Sequence, residues 1–493
     1  LQTILVADVA AMELWLNSQK DNVSALANET DVKRLLSELA QLANDPQLDE
    51  QAAKIWQQLA DYPELPGIQT VKIRAVTALV ELDLRSTAKL RRQARDEQDV
   101  DERSKELLRL SNVALDSALN HSLQAVRLAD QVTAYPAVRF LAQLRRAQVL
   151  DAQAQRLAAS PARQASEQAA VDEAAKRSRQ QAIELLEVAL DEVELPRSMT
   201  VGAESERAEY FAQFAAGFDL LVDLYVHTGQ LEDALRVSER RRSRTYLDQV
   251  RASGVDLRAE LPDLAAQERN ILQAYNDQLQ AARRMGLADG DEHELQTARN
   301  RLEELKRQWT AIRREIVNRS SIYRRLRSDS DDGATNYAAA LEHDEMALVY
   351  HLGLQNSYAF LVSPAQPPQK YPLVVHRQAA QMPGLRAGML TGPAAAEIVN
   401  WAMTAVAPEV MSAARGGAAT ATRSLKLELS NSLQQQFCEL LVPAPAREEI
   451  ERQHAAGNLR RLIVVPDGAL HQLPLGALIV NAEPEVTYLI DRL

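Results

Sequence analysis

Leu462-Ile-Val-Val-Pro-Asp-Gly-Ala-Leu-His-Gln-Leu-Pro-Leu-Gly-Ala-Leu478 decides the fold class of the C-terminal part. Four branched apolar residues, Leu462 to Val465, predict a strand buried on both faces, because a strand with one wet face would alternate apolar and polar positions. Pro466-Asp467-Gly468 is turn chemistry that stops the strand. A second apolar segment begins near Pro474 and leads away. The pattern predicts one βα step of an open, mostly parallel sheet, in which ligands bind at the carboxyl ends of the strands.

Upstream, the chain changes character at a polar linker, Arg327-Ser-Asp-Ser-Asp-Asp-Gly333. After it, Ala347 to Leu352 and Ser357 to Val362, joined through Gly353 and Asn356, predict a β-hairpin. Tyr371 to His376 predicts a third strand. Gly384 to Pro393 predicts a loop, Ala394 to about Ala405 a helix, and Ala413 to Thr420 a flexible break. Ser424 to Leu441 predicts an amphipathic helix closed by Pro443 and Pro445.

Before the linker the periodicity is helical. Apolar residues recur three and four apart, as in Val32, Leu35, Leu36, Leu39 and Leu42. Breaks fall at Asn44-Asp45-Pro46, Tyr62 to Gly67, Tyr135-Pro136 and Leu195-Pro196. Residues 151 to 181, rich in Ala, Gln and Arg, predict either a long solvent-facing helix or a linker. Residues 257–326 predict two long antiparallel helices with Gly286 to Asp291 at their tip. Leu272, Tyr275 and Leu279 fall on one arm, Leu302, Leu305 and Trp309 on the other. Three regions result: 1–256 helical repeats, 257–326 an antiparallel helical hairpin, and 336–493 α/β. A chain of 493 residues is long enough for about two or three cores.

Composition limits the function classes. Aromatic residues make up only 4% of the chain, and Ala, Leu, Gln, Glu and Arg dominate, which argues against an all-β protein. The net charge of −12 gives bulk electrostatics no hold on nucleic acid. The single cysteine, Cys438, excludes a disulfide framework and a multi-cysteine zinc site, and fits a reducing, cytoplasmic setting. No apolar run reaches transmembrane length, so membrane insertion is not expected. The first residue is Leu1, which leaves room for a processed N-terminus. No cofactor is implied.

Leu220 to Arg236 is the clearest repeat unit. Tyr225, Gly229, Leu231 and Ala234 resemble the centre of a tetratricopeptide repeat, in which a glycine turn links two helices and a small alanine lets them approach. Ala182 to Leu190 and Ala52 to Ala60 echo it without a fixed period. The stretch ending in Val465-Pro-Asp-Gly468 resembles the "vPDGxLhxLPfxAL" signature of CHAT domains, caspase-like cysteine peptidase modules that follow helical repeats. Ala234 to Leu247, with Glu239, Arg240, Arg244 and Leu247, resembles the helix that leaves the family's last repeat. The 257–316 hairpin resembles its spacer, Glu345 to Val362 its opening hairpin, and Tyr488-Leu489 its "yLier". These matches cover residues 205 to 493.

The resemblance implies a caspase- and separase-like fold with a His–Cys dyad, a protein partner on the repeats, and a peptide substrate if the catalytic half is present. The family's "HG" and "SAC" strand ends do not occur in these residues, so no catalytic residue is assigned. The resemblance then predicts the regulatory part of a cysteine endopeptidase whose dyad lies beyond residue 493. Its later strands would lie there too, leaving the Leu462–Val465 edge uncovered. A non-enzymatic repeat scaffold is the alternative.

Asp467, Gly468 and His471 are the candidates for a substrate pocket or for local turn structure. Tyr225, Arg240, Arg241 and Arg244 are the candidates for partner binding; a solvated basic face paired to Glu232, Asp233 and Glu239 competes with that role. Cys438, beside Phe437, Leu440 and Leu441, reads as a buried small hydrophobe rather than a nucleophile. His343, His351 and His376 lack metal-site spacing and read as structural. Gly416-Gly417 reads as linker, or as a loop open to nicking.

Overall fold

A computed structural model describes Leu35 and residues 49–61, 68–96, 102–131, 136–159, 165–199, 204–252, 261–287, 292–319, 337–376, 386–400, 435–473, 479–481 and 487–488. The expected helix around Val32, the breaks at Asn44–Pro46 and Tyr62–Gly67, the linker 327–333 and the glycine-rich segment 413–420 lie outside these residues. The chain is mostly helical, with a small mixed sheet near the C-terminus. It divides into two compact units: residues 1–211 with 256–323, and residues 212–255 with 324–493.

The first unit contains α1 (Asp49–Ala60), α2 (Ile68–Asp96), α3 (Glu102–Asp130), α4 (Pro136–Ala158), α5 (Ala165–Met199), α8 (Pro262–Leu287) and α9 (Glu292–Arg319). On α1, Ala52, Trp56, Leu59 and Ala60 are buried at helical spacing and form the stripe that faces α2. α2 is buried over most of its circumference between Val71 and Leu82, which makes it the central helix, with α1, α3 and α4 around it. Its one buried carboxylate, Glu81, is held by Arg145 of α4 and by Arg85 at 2.5 Å. The described part of the segment 151–181 is helix, largely exposed, with Ala154, Ala175 and Ser178 as its buried residues. It contributes to α4 and α5, which pack together, and Ser178 donates to the Leu150 carbonyl at 2.8 Å. α5 also runs through the expected break at Leu195-Pro196. Proline there removes one backbone donor and crowds the carbonyl four residues back, and the helix ends within one turn of it, at Met199.

α8 and α9 pack through Leu272, Tyr275 and Leu279 against Leu302, Leu305 and Trp309, as their periodicity requires.

The second unit takes the later part of α6 (Glu204–Thr228), all of α7 (Leu231–Ala252), the short α10 (Tyr337–Ala340) and the sheet. α6 and α7 are joined at Gly229, which adopts φ +80°. That left-handed backbone is why the turn needs glycine. The expected hairpin forms: β1 (Glu345–Leu352) and β2 (Ser357–Ser363) are antiparallel, with Leu352 opposite Ser357. β3 (Gln366–Pro372) follows on β2, and β6 (Arg461–Val465) lies parallel to β1, giving the order β3-β2-β1-β6.

All eight residues of β1 are buried because both faces are covered. Met346, Leu348, Tyr350 and Leu352 face an apolar core completed by Val399, Phe437, Leu441 and Ile450 among others. His351 on the opposite face meets α6 and α7.

Several expectations need correction. The sheet is mixed, with β1 and β6 as the single parallel pair among the described residues. β6 is half-buried rather than buried on both faces, because it pairs on one side and packs inward only through Leu462 and Val464. The third strand lies at 366–372, where its residues reach β2; Val374–Val375 (β4) turn away to pair with Gly388–Met389 (β5) inside the expected loop. Helix resumes at residues 392–400. The helix expected to close at Pro443 and Pro445 is followed at once by α11 (Ala444–Ala455). Proline suits a first helical turn, where a backbone N–H has no acceptor. After β6 the chain makes a 3-10 turn, Gly468–Gln472; the start of the expected apolar segment, residues 474–478, lies outside the described residues, and residues 479–481 (β7) pair with 487–488 (β8). Among the described residues, no helix is long and apolar enough to cross a membrane.

Candidate functional site

The most unusual chemistry of the second unit lies where α6 and α7 meet the ends of β1 and β6. α6 contributes Asp219 and Asp223, one helical turn apart on an otherwise apolar face. α7 contributes Ser238, Arg241 and Arg242. The sheet contributes His351 and the loop that follows β1, and the turn after β6 contributes Asp467.

Arg241 is the centre of the cluster. Its Nε lies 3.2 Å from Asp219 Oδ1, and its Nη1 donates to Asp467 Oδ2 at 3.2 Å. Each carboxylate also accepts a backbone N–H from the β1 end: Leu352 N–H donates to Asp467 Oδ2 at 2.7 Å, and Leu354 N–H to Asp219 Oδ2 at 3.0 Å. Asp223 accepts from Asn356 Nδ2 at 2.8 Å and from the Tyr358 hydroxyl at 2.9 Å. Arg242 donates to the Tyr350 carbonyl at 3.0 Å and to the Tyr337 hydroxyl, and pairs with Glu239 at 3.1 Å. The β1–β2 loop is therefore fastened to α6, and the end of β1 to α7, by charge-assisted bonds, each stronger than a neutral hydrogen bond.

Ser238 Oγ lies 3.0 Å from His351 Nδ1, and His351 Nε2 lies 3.6 Å from Asp219 Oδ1. Serine, histidine and aspartate are the parts of a nucleophilic triad. Here Ser238 and His351 are 0% exposed and Asp219 5%, so no substrate carbonyl reaches the hydroxyl. Burial pushes the Asp219 carboxyl up to about 6 against the opposing pull of Arg241. Burial, reinforced by Arg241, holds the His351 imidazole down to about 3. At neutral pH the ring is uncharged.

Of the candidates read from sequence, Asp467 and Arg241 meet in this cluster. Asp467 is buried and holds β1 and α7 rather than its own turn. Gly468 adopts φ +51°, consistent with glycine in the turn, and its added Cβ would touch Leu352 at 3.6 Å. His471 is exposed on the 3-10 turn. Tyr225 is buried in the α6–α7 hairpin with the Arg236 guanidinium 5.9 Å from its ring centre. Arg240 stands over the Phe218 ring at 5.8 Å. Arg244 lies within α7, and its side chain is outside the described residues.

Cys438 is fully buried in the apolar core, and its thiol is pushed up to about 11, chiefly by burial. Burial outweighs the opposing pull of Arg447 beside it, so it lacks the exposure and lowered pKa of a nucleophilic thiol. Among the described residues no group of histidine, cysteine and acidic side chains is arranged to hold a metal ion.

Sequence reasoning missed Asp219, Asp223, Ser238 and His351 as members of one site. The available signal was Phe218-Asp-Leu-Leu-Val-Asp-Leu-Tyr225, in which two acids four apart interrupt an apolar helix. A buried acid needs a partner, and helix spacing puts both on one face.

No protein-family model matches the chain, and no curated protein or solved structure matches it.

Proposed function

We propose that this chain is the regulatory, partner-binding part of a CHAT-like cysteine endopeptidase, with the catalytic histidine and cysteine supplied by sequence beyond residue 493. Partner binding on the helical repeats is relayed through α6 and α7 to the α/β region. The observation that carries this reading is Arg241, which ties Asp219 of the repeat-like hairpin to Asp467 in the turn at the carboxyl end of a parallel strand. That end of a parallel strand pair is where α/β proteins place reacting groups. A shift of α7 would therefore be felt first where substrate groups would gather.

Intact mass of the native gene product, followed by a peptidase assay, tests the proposal. The expected product exceeds 54.7 kDa, and its added sequence carries a histidine and a cysteine whose substitution abolishes cleavage. A native product of 54.7 kDa without peptidase activity overturns it.

That outcome would favour a repeat scaffold. The observation behind this second reading is Leu110 and Val113, exposed three residues apart on one face of α3. Exposed apolar side chains gathered in one place suit a protein partner.

A further inference from the structure

We propose that Asp219 is a proton-controlled switch at the helix–sheet junction: ionised, it pairs with Arg241, and protonated, it donates a hydrogen bond to His351 and reverses the tautomer of that ring. The proposal goes beyond the peptidase reading and does not depend on it.

The first argument is charge balance. From α6, Asp219 and Asp223 face the junction. From α7 come Ser238, Arg241 and Arg242; from β1, His351; from β2, Tyr358; from the turn after β6, Asp467. Arg242 is matched by Glu239 on its own helix. Arg241 is then shared between two buried carboxylates, Asp219 and Asp467. Burying unmatched negative charge is costly, and the usual relief is protonation of one carboxylate.

The second argument identifies which one. Asp467 accepts from a guanidinium and a backbone N–H on one oxygen. Asp223 accepts from an amide and a phenol, one on each oxygen. Asp219 Oδ2 accepts from Leu354 N–H, whereas its Oδ1 is buried without an aligned donor; the Arg241 contact at 3.2 Å is an ion pair only. Asp219 Oδ1 is thus the oxygen with room for a proton. Burial raises the affinity of Asp219 for that proton and lowers that of His351, so acid neutralises the carboxylate and leaves the ring uncharged.

The third argument is the acceptor. His351 Nε2 is likewise buried without a hydrogen-bond partner, 3.6 Å from that oxygen. At 3.6 Å no hydrogen bond exists, and a rotation of the carboxyl group about Cβ–Cγ closes the gap. With Asp219 ionised, the favourable tautomer carries hydrogen on Nε2, directed toward the carboxylate, while Nδ1 accepts from the Ser238 hydroxyl. With Asp219 protonated, Nε2 must accept, so the ring hydrogen sits on Nδ1 and is donated to Ser238 Oγ. One proton enters from solvent. The ring stays neutral, and the Ser238 hydroxyl changes from donor to acceptor. Arg241 loses one of its two anions and is left on Asp467, which loosens α7 from α6 without breaking its tie to the sheet.

The test is nitrogen-15 NMR of histidine-labelled full chain between about pH 8 and pH 5. His351 is assigned through bonds to its own backbone, so the assignment requires no variant. The expected result is an Nε2–H ring at the upper pH that converts to Nδ1–H as the pH falls through about 6, with no imidazolium signal. In Asp219→Asn, whose side chain cannot titrate, one tautomer is expected throughout. An unchanged tautomer in the wild type, or imidazolium formation in this range, overturns the proposal. So does a tautomer change that persists in Asp219→Asn. If that variant does not fold, Asp219→Glu replaces it and is expected to shift the conversion pH; an identical midpoint would assign the transition to another group.

Discussion

Replacing Arg241 by methionine keeps much of the side-chain bulk and removes the guanidinium. Asp219 and Asp467, with side chains 7% and 8% exposed, then lose their common cation. Breaking a buried ion pair costs about 3–5 kcal/mol. Arg241 is itself 22% exposed, so its interactions are partly screened and the lower end, about 3 kcal/mol, applies. The readout should be local, because a chain with two compact units need not unfold in one step. Native-state hydrogen exchange at Leu352 and Leu354 supplies it, since their N–H groups donate to the two carboxylates concerned. A loss of about 3 kcal/mol lowers their protection roughly a hundredfold.

The loss also depends on pH, with a fixed sign. Asp219 has a folded pKa of about 6, above its ordinary value of 3.8, so its protonated form favours the fold. That contribution is complete below 3.8 and is lost as the pH rises through the folded value. Removing Arg241 removes a group that lowers this pKa, so the folded value rises further. The variant therefore loses more stability at pH 8 than at pH 5, by about 1.4 kcal/mol per unit of additional rise. A change in protection of less than about threefold at both pH values, the behaviour of a surface ion pair, would refute the reasoning.

Three further outcomes follow from particular contacts. Cys438 should resist a thiol reagent at mildly alkaline pH until denaturant is added, because its thiol is buried and held near 11; rapid labelling of the native chain would contradict that. Gly353→Ala should unfold the β1–β2 turn, because the new Cβ would lie 2.4 Å from the Asn356 carbonyl oxygen. Gly229→Ala, with open space around it but φ +80°, should cost only about 1–2 kcal/mol; comparable thermal shifts for the two variants would count against this distinction. Glu81→Ala should cost about 3–5 kcal/mol by stranding the buried Arg145, with exchange in α2 and α4 accelerating together. Glu81→Gln should recover part of that loss; equal behaviour of the two variants would show that the ion pair contributes little.

Much of the helical scaffold was legible because its signals are local. Apolar spacing marked α8 and α9, Gly229 marked the α6–α7 turn, and the run through Val349 and Phe360 marked the hairpin. The errors arose where one signal has two meanings. Pro443 and Pro445 end a helix and also begin α11. The apolar run of β6 resembles a doubly buried strand, yet it occupies a half-buried position beside β1. The site was the least legible part. Arg241 and Asp467 are separated by 226 positions, and Ser238 and His351 by 113, so no local pattern couples them. Sequence showed Asp467 beside its turn and Arg241 among neighbouring acids. Folding placed each against a more distant partner, because burial rewards a match of charges over a solvated local pair.

The coupling between Arg241 and Asp467 tests most directly whether the repeat-like hairpin is energetically joined to the strand-end turn. A double-mutant cycle with Arg241→Met and Asp467→Asn, read by exchange of the β1 amides, measures it without counting the other losses of either substitution. The account predicts an interaction energy of about 1.5–3 kcal/mol. Additive effects within about 0.5 kcal/mol would contradict it and leave the two groups as independent neighbours.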